Sequence, residues 1–290
     1  MDTVILRYDE IALKSPHVRR RFEDILKNNV VKMLQGKKIQ ITKKGGRFFI
    51  KTDGPAKVAK LLSNLPGVSS TSPAKVVRAE MEEIITAATE LAKKIISPKE
   101  SFAVRTTRHG EHPFSSADVN RAVGKKILSA IDGIKVDLDN PDREIFIEIR
   151  EDQAYVFTEY IRGLGGLPVG SQGKVVAIFG NEKRKIKAAL LMLKRGCEVA
   201  LLSFDHRRAK VVAAAKKLLK HHHAIEIFLM PKPLLKVDPS LKPYIEKAFM
   251  RQIASILAEE IGAVAIVSAD AIEDISKIGL RGLKLLDSVA

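Results

Sequence analysis

Lys14, followed by Arg19, Arg20 and Arg21, concentrates four positive charges where a short apolar stretch gives way to a helical pattern. Three consecutive residues cover most of a helix circumference, so at least one of these arginines faces water. Cations at such a place contact phosphate, although a solvated helix face is an equally good reading. A second cluster holds Arg105 and Arg108 with His109, Phe114, Ser115, Ser116 and Asn120. Here a strand carrying two cations passes into a serine-capped helix start, whose backbone N–H groups and positive dipole end favour an anion. A phosphate or the 3′ end of a nucleic acid fits that chemistry. So does an exposed polar loop. The third cluster, Phe179-Gly180-Asn181-Glu182-Lys183-Arg184-Lys185, follows an apolar strand, the position where α/β domains place a glycine-rich phosphate loop. Only Gly180 offers backbone freedom there, and Glu182 repels phosphate.

Other residues that could do chemistry are isolated. His221-His222-His223 point in different directions if helical, and no second His or Cys cluster completes a metal site. The run reads as an exposed helix end. The one cysteine, Cys197, enters an apolar strand and reads as a buried small hydrophobe. A disulfide within the chain is excluded. Neither a Ser-His-Asp set nor paired carboxylates can be recognised.

The elements that position these residues follow from periodicity. Residues 4–8 read as a strand, 15–34 as a helix, 38–43 and 47–51 as a hairpin turning at Gly45-Gly46, and 53–64 as a helix. Together they form a small ferredoxin-like unit. Pro66-Gly67 and Thr71-Ser72-Pro73 mark a boundary. Beyond it come a helix over 81–96, a strand over 101–106, a helix over 116–130, and strands over 136–138, 144–150 and 153–160. After the glycine-rich connector 162–170, a fully apolar strand at 175–179, a second apolar strand at 198–204 and further strands at 224–230 and 264–268 alternate with helices at 183–195, 210–220 and 244–261. That alternation predicts right-handed crossovers and a parallel sheet. The fold class is therefore α/β with an α+β front. Three domains are expected: 1–68 ferredoxin-like, 69–165 a second α+β unit, and 166–290 doubly wound.

Composition narrows the partners. Lys and Arg number 50 against 34 Asp and Glu, a net charge of +16 in 290 residues. Such a field attracts polyanions, nucleic acid first among them; a basic surface adapted to heat is the competing explanation. The N-terminus lacks a signal-peptide pattern and no apolar run spans a bilayer. The expected protein is cytoplasmic, with no membrane contact.

Arg7-Tyr8-Asp9-Glu10-Ile11-Ala12-Leu13-Lys14 with Arg19-Arg20-Arg21-Phe22 resembles the N-terminal signature of the ThiI family, RYGEIxLKG…RRxFE. Asp9 stands where that family mostly has glycine. Arg105, Arg108, Phe114-Ser115-Ser116, Asn120 and Val123-Gly124 are similar to its THUMP domain. Residues 165–174, Gly-Gly-Leu-Pro-Val-Gly-Ser-Gln-Gly-Lys, are close to its GGLPVGSSGK connector, and Lys194-Arg195-Gly196-Cys197-Glu198-Val199 to a later segment. The ordered succession covers essentially the whole chain.

The resemblance implies a THUMP domain at 69–165 and a PP-loop pyrophosphatase domain at 166–290, degenerate and truncated. It also implies tRNA binding by the first two domains, THUMP holding the 3′ acceptor end, and ATP with magnesium for 4-thiouridine formation. A role in thiamine biosynthesis comes with the family. Partners expected from it are tRNA, a protein supplying sulfur or catalytic residues, and a second copy of the chain. RNA contacts fall on Lys14, Arg19, Arg20, Arg21, Arg105, Arg108, Ser115 and Ser116. Gly180, Asn181 and Phe204 remain as remnants of the nucleotide site.

The departures lie in the third part. Aligned without a gap, the SGGxDS loop falls on residues 180–185 and keeps none of its five specified residues, with Arg184 at the acidic position. The family's His-Phe is Ser203-Phe204, its basic pair falls on Lys247-Ala248, and its GExLGQ segment on residues 269–274. The sequence stops before the family's sulfur-handling cysteine and its rhodanese extension. No catalytic residue and no metal site is assigned. The expectation is a tRNA binder whose catalysis by this chain alone is lost. The alternatives are an active thiolase using ATP through a remodelled loop, and a protein unrelated to RNA with an adaptively basic surface.

Overall fold

The computed structural model describes residues 2–234 and 236–269. Residues 270–274 of the glycine-poor segment compared above lie outside them. In chain order the elements are β1 (Thr3–Arg7), α1 (Pro16–Met33), β2 (Ile39–Lys44), β3 (Arg47–Thr52), α2 (Pro55–Leu62), β4 (Ser70–Arg78), α3 (Met81–Ile95), β5 (Ser101–His109), α4 (Ser116–Ala130), β6 (Lys135–Val136), β7 (Arg143–Arg150), β8 (Gln153–Phe157), β9 (Ile161–Arg162), β10 (Lys174–Ile178), α5 (Lys183–Arg195), β11 (Glu198–Ser203), α6 (Arg208–Lys216), β12 (Glu226–Leu229), α7 (Lys242–Glu260) and β13 (Ala265–Val267). The described residues gather into two compact units, one of residues 2–8, 34–63 and 68–163, the other of residues 9–33, 64–67 and those from 164 to 269.

The first unit is built on one sheet, ordered β2-β3-β1-β4-β8-β7-β5-β6 with β9 also on β4. The order β2-β3-β1-β4 is that of a ferredoxin-like sheet. Its last strand runs through the stretch that the sequence marks as a boundary. β4 pairs antiparallel with β1 over Ser70–Ala74 and with β8 over Lys75–Arg78, so a single strand belongs to both halves. Proline lacks the N–H that a ladder needs. Pro73 is tolerated because on the side of β8 and β9 it falls between the pairing of Thr71 with Ile161 and that of Lys75 with Val156. The strand expected over 101–106 also runs further, to His109, held by its parallel pairing with β7. The strand expected over 153–160 ends at Phe157, and a separate two-residue strand, β9, follows at Ile161–Arg162.

Residues two apart on a strand share a face. Phe102, Val104, Ile145, Ile147, Ile149, Ala154 and Val156 face α3 and α4, where Ile84, Ala88, Val119, Val123 and Ile127 complete an aliphatic core. The other face carries Ile5, Phe49, Ala74, Tyr155 and Phe157, and beside them a charged cluster. Glu148, 2% exposed, accepts from Arg150 Nε at 2.5 Å and Arg7 Nη2 at 3.3 Å, and meets Arg47. Arg7 also donates to Ser72 Oγ at 2.9 Å. These side chains come from β1, β3, β4 and β7. Burial pushes the Glu148 carboxyl up, but the hydrogen bond from Arg150 and the charges of Arg47, Arg7 and Arg150 outweigh it and hold the group below its ordinary value.

The second unit contains a four-stranded sheet, ordered β12-β11-β10-β13, with every pair parallel. Both faces are covered, which is why the strands read as continuous apolar runs. Val175, Ala177, Val199 and Leu201 pack with Ala189 and Leu193 of α5 and Val211 and Ala215 of α6. Val176, Leu202 and Phe204 pack with Ala254 and Ala258 of α7. The glycine-rich connector lies against the end of α5: Leu167 N donates to Lys194 O at 2.9 Å, and Gly170 N to Gly196 O at 2.9 Å. At Gly166 φ is +80°, and a Cβ would collide with the Lys194 carbonyl, so glycine is required there. α1 belongs to this unit, where Asn29 Nδ2 donates to Val169 O at 3.0 Å and Glu10 accepts from Gly166 N at 3.0 Å.

Replacing Glu148 with alanine leaves three guanidiniums without their shared counter-charge. Loss of one partner of a buried ion pair costs about 3–5 kcal/mol, and a denaturant titration should register a loss of that size. Because the folded-state pKa of Glu148 is depressed, its contribution is present above the unfolded value, about 4.3, and is lost as pH falls through the lower folded value. Wild type should therefore lose more stability on acidification than E148A.

Candidate nucleic-acid interface

In the second unit, Lys14, Arg19, Arg20 and Arg21 are all exposed at the start of α1. The stripe Phe22, Leu26, Asn29 and Val30 is buried, and the arginines fan around the remaining circumference. No acid occupies the first turn, so the cations add to the positive dipole end. Arg19 turns back to the Ala12 carbonyl, and Arg21 lies 5.9 Å from the centre of the Phe22 ring.

In the first unit, Arg105 and Arg108 are three residues apart in β5 and so occupy opposite faces. Arg108 Nη1 donates to Gly110 O at 3.0 Å and lies 3.4 Å from His112 Nδ1. His112 in turn stacks on Phe114. Ser115 forms a capping box: its side chain accepts from Asp118 N, and Asp118 accepts from Ser115 N at 3.0 Å and Oγ at 2.7 Å. Those bonds hold the Asp118 carboxyl below its ordinary value. The helix start expected to hold an anion thus already holds a carboxylate. Ser116 is the first residue of α4, half-buried behind that cap.

Arg105 faces a different place. Its Nε donates to Glu144 at 2.9 Å and its Nη2 to Leu138 O at 2.5 Å, at the wall of a cleft of about 560 Å³ between α4 and the β5–β6 edge. Leu128, Val136 and Leu138, all exposed, give the cleft an apolar lining, while Arg121 and Lys125 line it beside Arg105. Asn120 also lines it, and its buried Oδ1 has no hydrogen-bond partner among the described residues. The sequence reading missed Arg121, Lys125, Leu128, Val136 and Leu138. The signal was present: Arg121, Lys125 and Leu128 follow helical spacing on the side of α4 away from Val119, Val123 and Ile127.

The loop after β10 also lies in the second unit. Phe204 is buried in the core beneath it. A cleft of about 160 Å³ opens beyond β10 and β11, lined by Gly180, Glu182, Lys185, Asp205, Arg207 and Lys232 among others. In parallel sheets this is where phosphates bind. Here Glu182 folds over Gly180, where an added Cβ would meet its carboxylate, and pairs with Lys185 Nζ at 3.1 Å. Burial raises the Glu182 pKa, but backbone and Lys185 hydrogen bonds bring it below the ordinary value. Asp205 pairs with Arg207 at 2.8 Å and is held well below the carboxylate range by that hydrogen bond. Two ionised carboxylates therefore engage cations that a nucleotide's phosphates would need. The cleft is also smaller than the roughly 300–1,000 Å³ of ordinary ligand pockets. Its residues as arranged do not fit a triphosphate. Asn181, at the tip of the loop, is exposed.

The histidine run is not an exposed helix end. α6 stops at Lys216, and His221 is 6% exposed with Nδ1 2.8 Å from Asn64 O. Burial lowers the pKa of all three histidines. Among the described residues no group of His, Cys, Asp and Glu is arranged to hold a metal ion. Cys197 is buried in the core between α5 and β11, and burial pushes its thiol up. No helix among the described residues is long and apolar enough to cross a membrane.

A ferredoxin-like sheet continuous with a second α+β half, together with a parallel-sheet unit, makes the three-part arrangement that the sequence motifs resemble. Family profiles match in the same succession: the ThiI ferredoxin-like domain over residues 3–72, the THUMP domain over 78–159, and the thiamine biosynthesis protein (ThiI) over 170–290. A protein of Methanocaldococcus jannaschii named "Probable tRNA sulfurtransferase" is 31% identical over 306 residues, covering 98% of this chain and 80% of its own length. One of the same name from Methanosarcina mazei is 43% identical over 202 residues, covering 67% of this chain. That match spans half the length of the Methanosarcina relative, 50%. The crystal structure of PH1313 from Pyrococcus horikoshii Ot3 has a TM-score of 0.79 at 29% identity, covering 98% of this chain and 91% of that one. A 4-thiouridine synthetase solved as an RNA complex with bound ATP has the same fold, with a TM-score of 0.83 at 24% identity over 96% of this chain and 78% of that one. The chain belongs to the ThiI family.

Capping and cation roles separate by stability. Ser115→Ala should cost about 1 kcal/mol, the usual loss on removing an N-cap. Arg105→Gln should cost less than about 1 kcal/mol, since its pair with Glu144 is solvent-exposed. Thermal unfolding of the two variants checks the order.

Proposed function

We propose that this chain is a tRNA-binding member of the ThiI family that does not by itself carry out ATP-dependent thiolation. The observation that carries the binding half is the cleft at Arg105, Arg121 and Lys125, where cations stand beside an apolar wall and an amide with an open acceptor. A single-stranded end needs that combination: charge for its phosphates and an apolar or π surface for its bases. We assign the 3′ acceptor end of tRNA to it, and further backbone phosphates to Lys14, Arg19, Arg20 and Arg21. Ser115 and Ser116 shape the α4 start beside Arg108 and are assigned a supporting role. The three-domain division at residues 68 and 165 is part of the same reading, as is a cytoplasmic location.

The loss of thiolation rests on Glu182 and Asp205. Adenylation needs preorganised donors where charge develops, and here those donors already serve internal carboxylates. Sulfur transfer needs an attacking thiolate, and Cys197 is buried with a raised pKa. Gly180, Asn181 and Phe204 mark where the nucleotide site of an ancestor stood. A partner protein would supply sulfur and the missing groups.

Purified chain given tRNA, ATP, magnesium and sulfide should form no 4-thiouridine; ATP-dependent thiolation under those conditions contradicts the catalytic half. For the binding half, Arg20→Gln and Arg21→Gln should each weaken all tRNAs similarly and lower the slope of log K against log salt by about one. A loss confined to one tRNA sequence contradicts a phosphate role.

A further inference from the structure

Around Glu148 three guanidiniums share one carboxylate, and nothing in the RNA reading above uses them. Arg7 is 8% exposed and Arg150 6%, so two of the three cations are more than nine-tenths buried. Among the described residues Glu148 is the one acid paired with them: Oε1 takes Arg150 and Arg47, and Oε2 takes Arg7. Two positive charges remain uncompensated in a place where unpaired charge is costly. The ring of Tyr160 lies 4.5 Å from the Arg7 guanidinium carbon and that of Phe157 5.1 Å, which shields but does not neutralise it. Burial lowers the Arg7 pKa by more than Glu148 restores. Such a cluster is incomplete without an anion.

The cluster is also reachable. The Arg47 side chain is 28% exposed, and Tyr160 is exposed beside Arg7. Arg47 stands directly after the Gly45-Gly46 turn, and Arg150 packs so closely under that turn that a Cβ at Gly45 would run into its guanidinium. Arg7 and Arg47 are register partners on β1 and β3, so their side chains are neighbours on one face. Planar guanidiniums present paired donors that match the oxygens of a phosphoryl group.

We propose that Arg7, Arg47 and Arg150, gathered by Glu148, form a receptor for one phosphoryl oxyanion on the sheet face of the first unit. Arg47 is the entry cation, and Arg7 and Arg150 are the fixed donors. The phosphoryl group is either a nucleic-acid backbone phosphate, which rests on the RNA reading, or free phosphate, which does not.

The test titrates the full chain with inorganic phosphate at constant ionic strength, chloride being the replaced anion, by calorimetry and by thermal unfolding. Wild type should bind one phosphate and melt higher in it than in chloride. Arg47→Gln should bind at least tenfold more weakly. Arg47→Lys, which keeps the charge and loses the fork, should fall between them. Glu148→Gln removes the internal competing anion, so its melting temperature should rise more with phosphate than that of wild type, even if it is poorly folded in chloride. Absence of a phosphate-specific effect in wild type, or an equal effect in Arg47→Gln, overturns the site. tRNA binding by wild type is measured separately, so failure here leaves the RNA reading standing. Displacement of phosphate by tRNA would assign the site to nucleic acid; independent binding of both would assign it to the free anion.

Discussion

Glu148 and β4 impose the constraint on which the first unit depends. A strand that completes a ferredoxin-like sheet with Ser70–Ala74 and begins a THUMP sheet with Lys75–Arg78 leaves no flexible joint between the two halves. One carboxylate then draws arginines from β1, β3 and β7 to the same spot. Because neutral substitution at Glu148 would leave those cations facing one another, the register of the sheet and the placement of its charges are coupled. Cations in the two halves are therefore held at fixed spacing. A rigid polyanion can be read by such a surface only if its charges do not move independently.

The second unit has the frame of a nucleotide-binding domain, and the cleft at its strand ends carries its own paired charges. Its four parallel strands, two covered faces and cleft beyond the strand ends are those of a doubly wound fold. The loop itself has filled. Where phosphates would approach backbone N–H groups, Glu182 and Asp205 provide the negative charge internally, paired with Lys185 and Arg207. Retaining the frame has a structural reason, because the glycine-rich connector and α1 both anchor in this unit, through Lys194, Gly196 and Val169.

Much of this was legible in the sequence, and the misses have physical causes. Apolar runs such as 175–179 announce a strand covered on both faces, and they hold. The ferredoxin-like unit was readable except for its last strand, hidden because Pro73 signals a break unless one knows that the strand changes partner there. Ser115 was recognisable as a cap, but that Asp118 closes the capping box and so occupies the presumed anion site depends on side-chain geometry. The cleft beside Arg105 was missed because its apolar wall comes from Val136 and Leu138, far along the chain from Arg121 and Lys125. The arginine cluster joins residues 7, 47, 148 and 150, and only the alternation Glu148-Ile149-Arg150 hints at it locally. The histidine run looked exposed because three polar residues follow a lysine-rich helix; its burial depends on a backbone carbonyl at Asn64.

The central claim is that the chain holds a polyanion whose free single-stranded end enters the cationic cleft of the first unit. The most direct measurement compares the affinity of the chain for intact tRNA with its affinity for the same tRNA lacking the 3′ CCA, across a salt series. The account predicts tight binding to intact tRNA that falls steeply with salt, and a clear loss of affinity when the 3′ end is removed. Weak binding indifferent to the 3′ end would contradict it.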